Sequence, residues 1–141
     1  VNTDLGVLTV EVERVSDLYG RDKDLKPFIT ISVGATVMKT AVYKGKNPQM
    51  DERKTFYNVD PSTMIRIRVV NTNYRPPLIG CAVSTKRDFG EVLINIQQVK
   101  AERSITQNWP LQNSRQGSIS MKLSWLDALT SPTSPSIEGW D

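Results

Sequence analysis

The chain has 141 residues, with 18 Lys and Arg against 15 Asp and Glu, and 38% hydrophobic residues. That is room for one domain with one buried core. There is no histidine, which removes the usual general base and zinc ligand. The single cysteine, Cys81, excludes an intrachain disulfide and fits a reducing compartment.

No apolar run approaches the roughly 18 residues that a membrane span needs, and no charged-then-apolar opening marks a signal peptide. The first residue is Val1 and not Met, as expected of a piece of a longer protein. Charge is unevenly spread. Setting aside Asp127, Glu138 and Asp141 leaves 18 basic against 12 acidic residues in 1–126, and residues 39–87 hold ten basic residues against three acids. Such an excess points to an anionic partner: phospholipid, nucleic acid or an acidic protein.

Taken in chain order, the residues alternate far more often than they follow a helical period. In GVLTVEVER (6–14), Leu8, Val10 and Val12 fall on one side and Val7, Thr9, Glu11 and Glu13 on the other. PFITISV (27–33) opposes Ile29, Ile31 and Val33 to Phe28, Thr30 and Ser32. TVMKTAVYK (36–44) is expected to bury Met38, Thr40 and Val42 and to show Lys39, Ala41 and Tyr43. DERKTFYNV (51–59) reads as a strand. In MIRIRVV (64–70), Ile65, Ile67 and Val69 face in while Arg66 and Arg68 face out. LIGCAV (78–83) and the short segment around Trp109 add two more, and GSISMKLSW (117–125) closes the series with Ile119, Met121, Leu123 and Trp125 inward.

Turn residues separate these runs at Gly34, Gly45 to Pro48, Asp60 to Ser62, Pro76-Pro77 and Asn113 to Gly117. EVLINIQQVKA (91–101) is the one place for a helical turn. About eight short strands without a long helix predict an antiparallel sandwich or barrel. Residues 127–141, rich in Ser, Thr and Pro, read as a flexible tail or linker after a domain at 1–126. Ser131 and Ser134, each before Pro, are candidate phosphorylation sites.

The order of these pieces resembles the C2 domain family over residues 5–126. GVLTVEVERVSDL is similar to its opening G-x-L-x-V strand, KPFITISVG to S-D-P-Y-V-x-V, and KTAVYKGKNPQMDE to K-T-x-V…N-P-x-W-N-E. IRIRVVNTN and PLIGCAV stand where the family has L-x-I-x-V-x-D-x-D and x-I-G, and WPLQNSRQGSISMKLSW resembles its W-x-L…G-x-I-x-L-x-L ending. The resemblance implies an all-β, eight-stranded antiparallel C2 β-sandwich of type II topology.

It also implies where calcium ligands would lie. Asp22 fits the first ligand position, with Asp24 close by. Lys26 replaces the Asp of S-D-P-Y, and the D-x-D pair reads Asn71-Thr72-Asn73. Calcium needs six to eight oxygens, several of them anionic, so no cofactor is expected and the calcium site is read as non-functional. For Asp22 and Asp24 the expected alternative is a turn with a salt bridge to Lys23 or Lys26.

Two surfaces are then candidates for an anionic membrane. In the family, a basic cluster on the concave sheet recognises phosphoinositide headgroups. Lys39, Tyr43, Lys44, Lys46, Arg66 and Arg68 are expected there, with Arg53 and Lys54 at the rim. At the loop end, Tyr19, Arg21, Lys23, Leu25, Lys26, Tyr74 and Arg75 set basic heads beside amphipathic side chains, which suits an interface rich in phosphatidylserine. The resulting expectation is a calcium-independent, non-enzymatic module in the cytoplasm that binds anionic membranes peripherally. The alternative is a protein-interaction domain. Nucleic acid is not expected, because the basic residues lack interleaved aromatics and no helix could enter a groove.

Overall fold

In the computed structural model of the chain, residues 5–72 and 88–127 are described. They form β1 (Gly6–Ser16), β2 (Pro27–Val33), β3 (Thr36–Lys39), β4 (Gln49–Val59), β5 (Met64–Asn71), β6 (Asp88–Asn95), α1 (Ile96–Glu102), β7 (Ser104–Pro110) and β8 (Ser118–Asp127). A single 3-10 turn at Asp22–Asp24 precedes β2. The strands make two four-stranded sheets, in the orders β4-β1-β8-β7 and β3-β2-β5-β6, with every pairing antiparallel. The opening and closing strands, β1 and β8, lie side by side from Gly6↔Asp127 to Ser16↔Ser118.

Alternation explains the core. Side chains of a strand point to opposite faces in turn, so each run with a strict two-residue period presents one apolar row. Leu8, Val10 and Val12 of β1 and Ile119, Met121, Leu123 and Trp125 of β8 face Ile29 and Ile31 of β2 and Ile65, Ile67 and Val69 of β5; all are buried. Trp125 lies over Gly6, where a Cβ would meet its indole at 2.2 Å. The indole Nε1 donates to Asp127 Oδ1 at 2.7 Å, and Arg103 Nη1 reaches Asp127 Oδ2 at 2.8 Å, which anchors the last residue of β8.

Three sequence expectations change. The strand expected over 36–44 ends at Lys39. Beyond it, Thr40 N donates to Ile29 O, Tyr43 N to Pro27 O and Gly45 N to Leu25 O. Ala41 and Val42 thus oppose the single residue Phe28 between the first pair of contacts, which is a local bulge. Ala41 N turns away to Glu52 Oε2, and Val42, expected inside, is 53% exposed. The helical turn expected in 91–101 is confined to α1, capped where Asn95 Oδ1 accepts from Gln97 N. The residues before it form β6, an edge strand that the alternation did not single out. Residues 78–83, read as a strand with Cys81, lie outside the described residues, as do 128–141.

Candidate functional site

Arg66 and Arg68 lie on the outer face of β5, and Lys39 on the same face of β3, with Thr30 of β2 between Lys39 and Arg68 in register. The structure therefore brings these three cations to one sheet. It also brings two acids. Arg66 Nε reaches Glu91 Oε1 of β6 at 2.7 Å, and Arg68 pairs with Asp88. Arg66 bonding to Glu91 outweighs the opposing effect of burial and holds that carboxyl below its ordinary range. Lys39 Nζ stands 5.9 Å from the centroid of the Phe28 ring. Both arginines of this face are thus paired, each through one nitrogen with one carboxylate oxygen.

Tyr43, expected on that same face, is elsewhere. Its ring packs against the core and its hydroxyl reaches Met50 O at 3.1 Å and Glu52 Oε2 at 2.5 Å on β4. The bond to Glu52, reinforced by burial and by the charges of Glu52 and Asp51, pushes the phenol up to about 12. Burial would raise Glu52, but the bonds from Tyr43, Ala41 N and Lys54 together leave its carboxyl lowered. Tyr43 is therefore a strut between segment 40–48 and β4, turned away from the face that carries Lys39, Arg66 and Arg68. Arg53, expected at the rim, pairs with Glu11 at 3.3 Å, and Lys54 with Glu52 at 3.4 Å.

At the loop end the charges fall differently. A cleft of about 450 Å³ opens between the 3-10 turn and the segment leading into β4, lined by Asp22, Lys23, Leu25, Lys26, Lys44, Gly45 and Asn47. Its walls are tied together by Gly45 N donating to Leu25 O at 2.9 Å and by Lys46 N donating to Asp22 Oδ1 at 2.8 Å. Lys44, expected in the concave cluster, belongs here with Lys23 and Lys26. Lys46 sits at the rim of the same turn through its backbone. Leu25, expected to face the membrane, is 4% exposed and part of the core, its side chain packed against Gly20 where a Cβ would meet it at 2.9 Å.

Tyr19 is half exposed and stacks under Arg115, whose guanidinium lies 4.9 Å from the ring centroid. Arg21 pairs with Asp24 at 3.1 Å, in place of the expected pairing of Asp22 and Asp24 with Lys23 or Lys26. Tyr74 and Arg75 lie outside the described residues. Arg115 is the basic residue at this end that the sequence reading missed; only its place in the Asn113–Gly117 turn hinted at it.

A calcium ion would need oxygens converging on one point. Asp22 Oδ1 accepts from Lys46 N, Asn71 Oδ1 from Lys26 N at 3.1 Å, and Asp24 Oδ2 engages Arg21. Asn71 itself is 1% exposed. Asn73 lies outside the described residues. Among those described, no three His, Cys, Asp or Glu side chains group as a metal site. Among the described residues, the oxygens at the vestigial positions serve three different protein groups and do not converge as a calcium ion requires. No helix of the described residues is long and apolar enough to cross a membrane.

No protein-family profile matches the chain. In sequence it is 28% identical over 123 residues to Synaptotagmin-3 of Arabidopsis thaliana, covering 85% of this chain and 22% of that protein. The chain thus spans about a fifth of that relative. In structure it is similar to Extended-Synaptotagmin 2 in a form comprising its SMP domain and two C2 domains, at a TM-score of 0.72 and 22% identity over 88% of this chain and 28% of that one. It is also similar to a single C2 domain of plant Extended Synaptotagmin 1, at 0.68 and 18% identity over 89% of this chain and 98% of that one. A C2 domain-containing protein from a putative elicitor-responsive gene matches at 0.70 and 18% identity, over 91% and 93%. With eight antiparallel strands in two four-stranded sheets among the described residues, the chain has the C2 domain fold.

Proposed function

We propose that this chain is a membrane-targeting C2 module that binds anionic phospholipid without calcium, through the loop end of the sandwich. One observation carries this reading. Among the described residues, Lys23, Lys26 and Lys44 line a single cleft whose one carboxylate, Asp22, is bonded to a backbone amide. Built-in cations there supply the positive charge that calcium provides in metal-dependent relatives. Each lysine near an anionic leaflet contributes about 1 kcal/mol, so three are worth roughly a hundredfold in affinity at physiological salt. The outer-sheet arginines contribute less, since Glu91 and Asp88 hold them.

The test is co-sedimentation with phosphatidylcholine vesicles containing phosphatidylserine, in calcium and in chelator, at two salt concentrations. Equal binding in both, weakened by salt and largely lost in K23Q/K26Q/K44Q, with a smaller loss in R66Q/R68Q, is the expected result. Binding that appears only with calcium would refute the reading.

A second reading, protein docking, has its own observation. Tyr57 and Leu126 are 72% and 63% exposed, on the strands that flank β1 in the other sheet. Exposed side chains of this size in one neighbourhood suit a protein contact. Failure of every anionic vesicle to bind would favour it.

A further inference from the structure

We propose that the outer face of the β4-β1-β8-β7 sheet is a docking site for the chain's own C-terminal segment, with Ile137 and Trp140 seated on an apolar row made by Tyr57, Val7 and Leu126. The inference stands apart from the membrane reading. β1 runs from this row to Ser16, about 30 Å at the usual strand rise. The loop-end cleft lies beyond that far end, where Leu18 N meets Lys46 O.

The row follows from strand register. Val7 of β1 pairs with Leu126 of β8. On its other side Gly6 pairs with Val59 and Leu8 with Phe56, so Tyr57 and Asn58 of β4 oppose the single Val7 in a bulge. Leu8, Phe56 and Trp125, at the alternate positions, are buried, which puts Val7, Tyr57 and Leu126 on the outside. Tyr57 and Leu126 are the two most exposed large apolar side chains among the described residues. On the other sheet, Val37 and Leu93 are held apart by Ser32 and Arg66 in register between them.

Away from the row the face turns polar. Along the β1-β8 pair, Thr9 and Ser124 come next, then Glu11 and Lys122. Glu11 is engaged by Arg53 at 3.3 Å. Among the described residues no acid lies within ion-pair distance of Lys122. The face thus sets an apolar row and an uncompensated cation on either side of a neutral hydroxyl pair.

The C-terminal segment complements both features. Fourteen residues follow Asp127, and they hold Glu138 and Asp141 with no Lys or Arg. Ile137 and Trp140 are three residues apart, a span of about 10 Å in an extended chain. Tyr57 and Leu126 are two strand spacings apart, also about 10 Å. The segment starts beside the row, because Asp127 is held by Trp125 and Arg103 and pairs with Gly6. Ile137 comes ten residues later, a reach of up to about 36 Å, enough to turn back across the two strands.

So short a connection holds the two anchors at an effective concentration on the order of millimolar. A contact with a Kd of about a tenth of that is docked about ten times as often as it is free. A second copy of the face fits less well, since it would bring another uncompensated Lys122 rather than an acid.

The experiment follows the indole N–H of Trp140 by NMR in the full chain, assigned with W140F. The expected result is solvent exchange about tenfold slower than in a peptide of residues 128–141, with NOEs from the Trp140 ring to the methyl groups of Val7 and Leu126. Y57S/L126S, changed at two exposed positions, should restore the peptide rate and remove those NOEs while the Trp109 and Trp125 indole signals stay in place. The peptide rate in the wild-type chain would overturn the inference. Protection that survives in Y57S/L126S would also overturn it, by placing the segment elsewhere. NOEs from Trp140 that pass between labelled and unlabelled molecules in a mixed sample would overturn it in favour of a second copy.

Discussion

Replacing Tyr43 by phenylalanine isolates the strut that holds the cleft's outer wall. The hydroxyl donates to Glu52 Oε2 on β4, and the same oxygen accepts from Ala41 N at 3.0 Å, so one carboxylate anchors the bulged segment twice. Glu52 is about four-fifths covered, with 20% of its side chain exposed. A hydrogen bond to a charged group in such a place contributes about 1.5 to 3 kcal/mol. Glu52 keeps Ala41 N and Lys54, so Y43F should cost near the lower end, about 1.5 kcal/mol.

The cost should also depend on pH in a fixed direction. The Glu52 carboxyl is lowered from its ordinary 4.5 in the folded chain. Its contribution is complete above 4.5 and fades as pH falls through the depressed folded value. Urea unfolding followed by the fluorescence of Trp109 and Trp125 should therefore separate wild type from Y43F at pH 7 and bring them together toward pH 3. At the alkaline end, the wild-type advantage should be lost as pH rises from 10.0 toward about 12. A difference below about 0.3 kcal/mol at pH 7, within the usual spread of surface substitutions, or one independent of acid pH, would refute the strut.

Further outcomes follow from the same geometry. Gly6→Ala should destabilise the fold by about 1 to 3 kcal/mol, because Trp125 is pinned by Asp127 and cannot yield to the new Cβ; thermal unfolding measures it. Gly45→Ala should cost about 1 to 3 kcal/mol through its positive φ and weaken vesicle binding as well, since the added methyl group pushes Asp22 away from Lys46. Glu91→Gln should remove part of the acid sensitivity of unfolding, since the wild-type carboxyl is held low by Arg66; stability of the variant should fall less than that of wild type as pH drops below 4.5. Ile31→Ala, at a fully buried central position, should cost about 2 to 5 kcal/mol by transfer and cavity terms, read from urea midpoints.

Local pattern determined much of this protein. The two-residue period of Leu8-Val10-Val12, Ile29-Ile31-Val33, Ile65-Ile67-Val69 and Ile119-Met121-Leu123 sets which side chains are buried, because a strand has no other way to hide an apolar row. The order of those strands pointed to the C2 fold, and Lys26, Asn71 and Asn73 are the positions where resemblance to the family led one to expect carboxylates. Local pattern could not assign partners across strands. The basic surplus counted over residues 39–87 stops one residue short of Asp88, which neutralises Arg68, and four short of Glu91, which holds Arg66. Those contacts join residues 20 and 25 positions apart, through a register that β5 and β6 settle together.

The bulge at Ala41–Val42 likewise depends on Glu52, eleven residues on. It turns Tyr43 inward and carries Lys44 away from the sheet to Lys23 and Lys26. Alternation within a strand is decided by neighbours in the chain, so sequence alone reveals it. Which charge faces which is decided by strand pairing and loop closure, and only the assembled sandwich decides that.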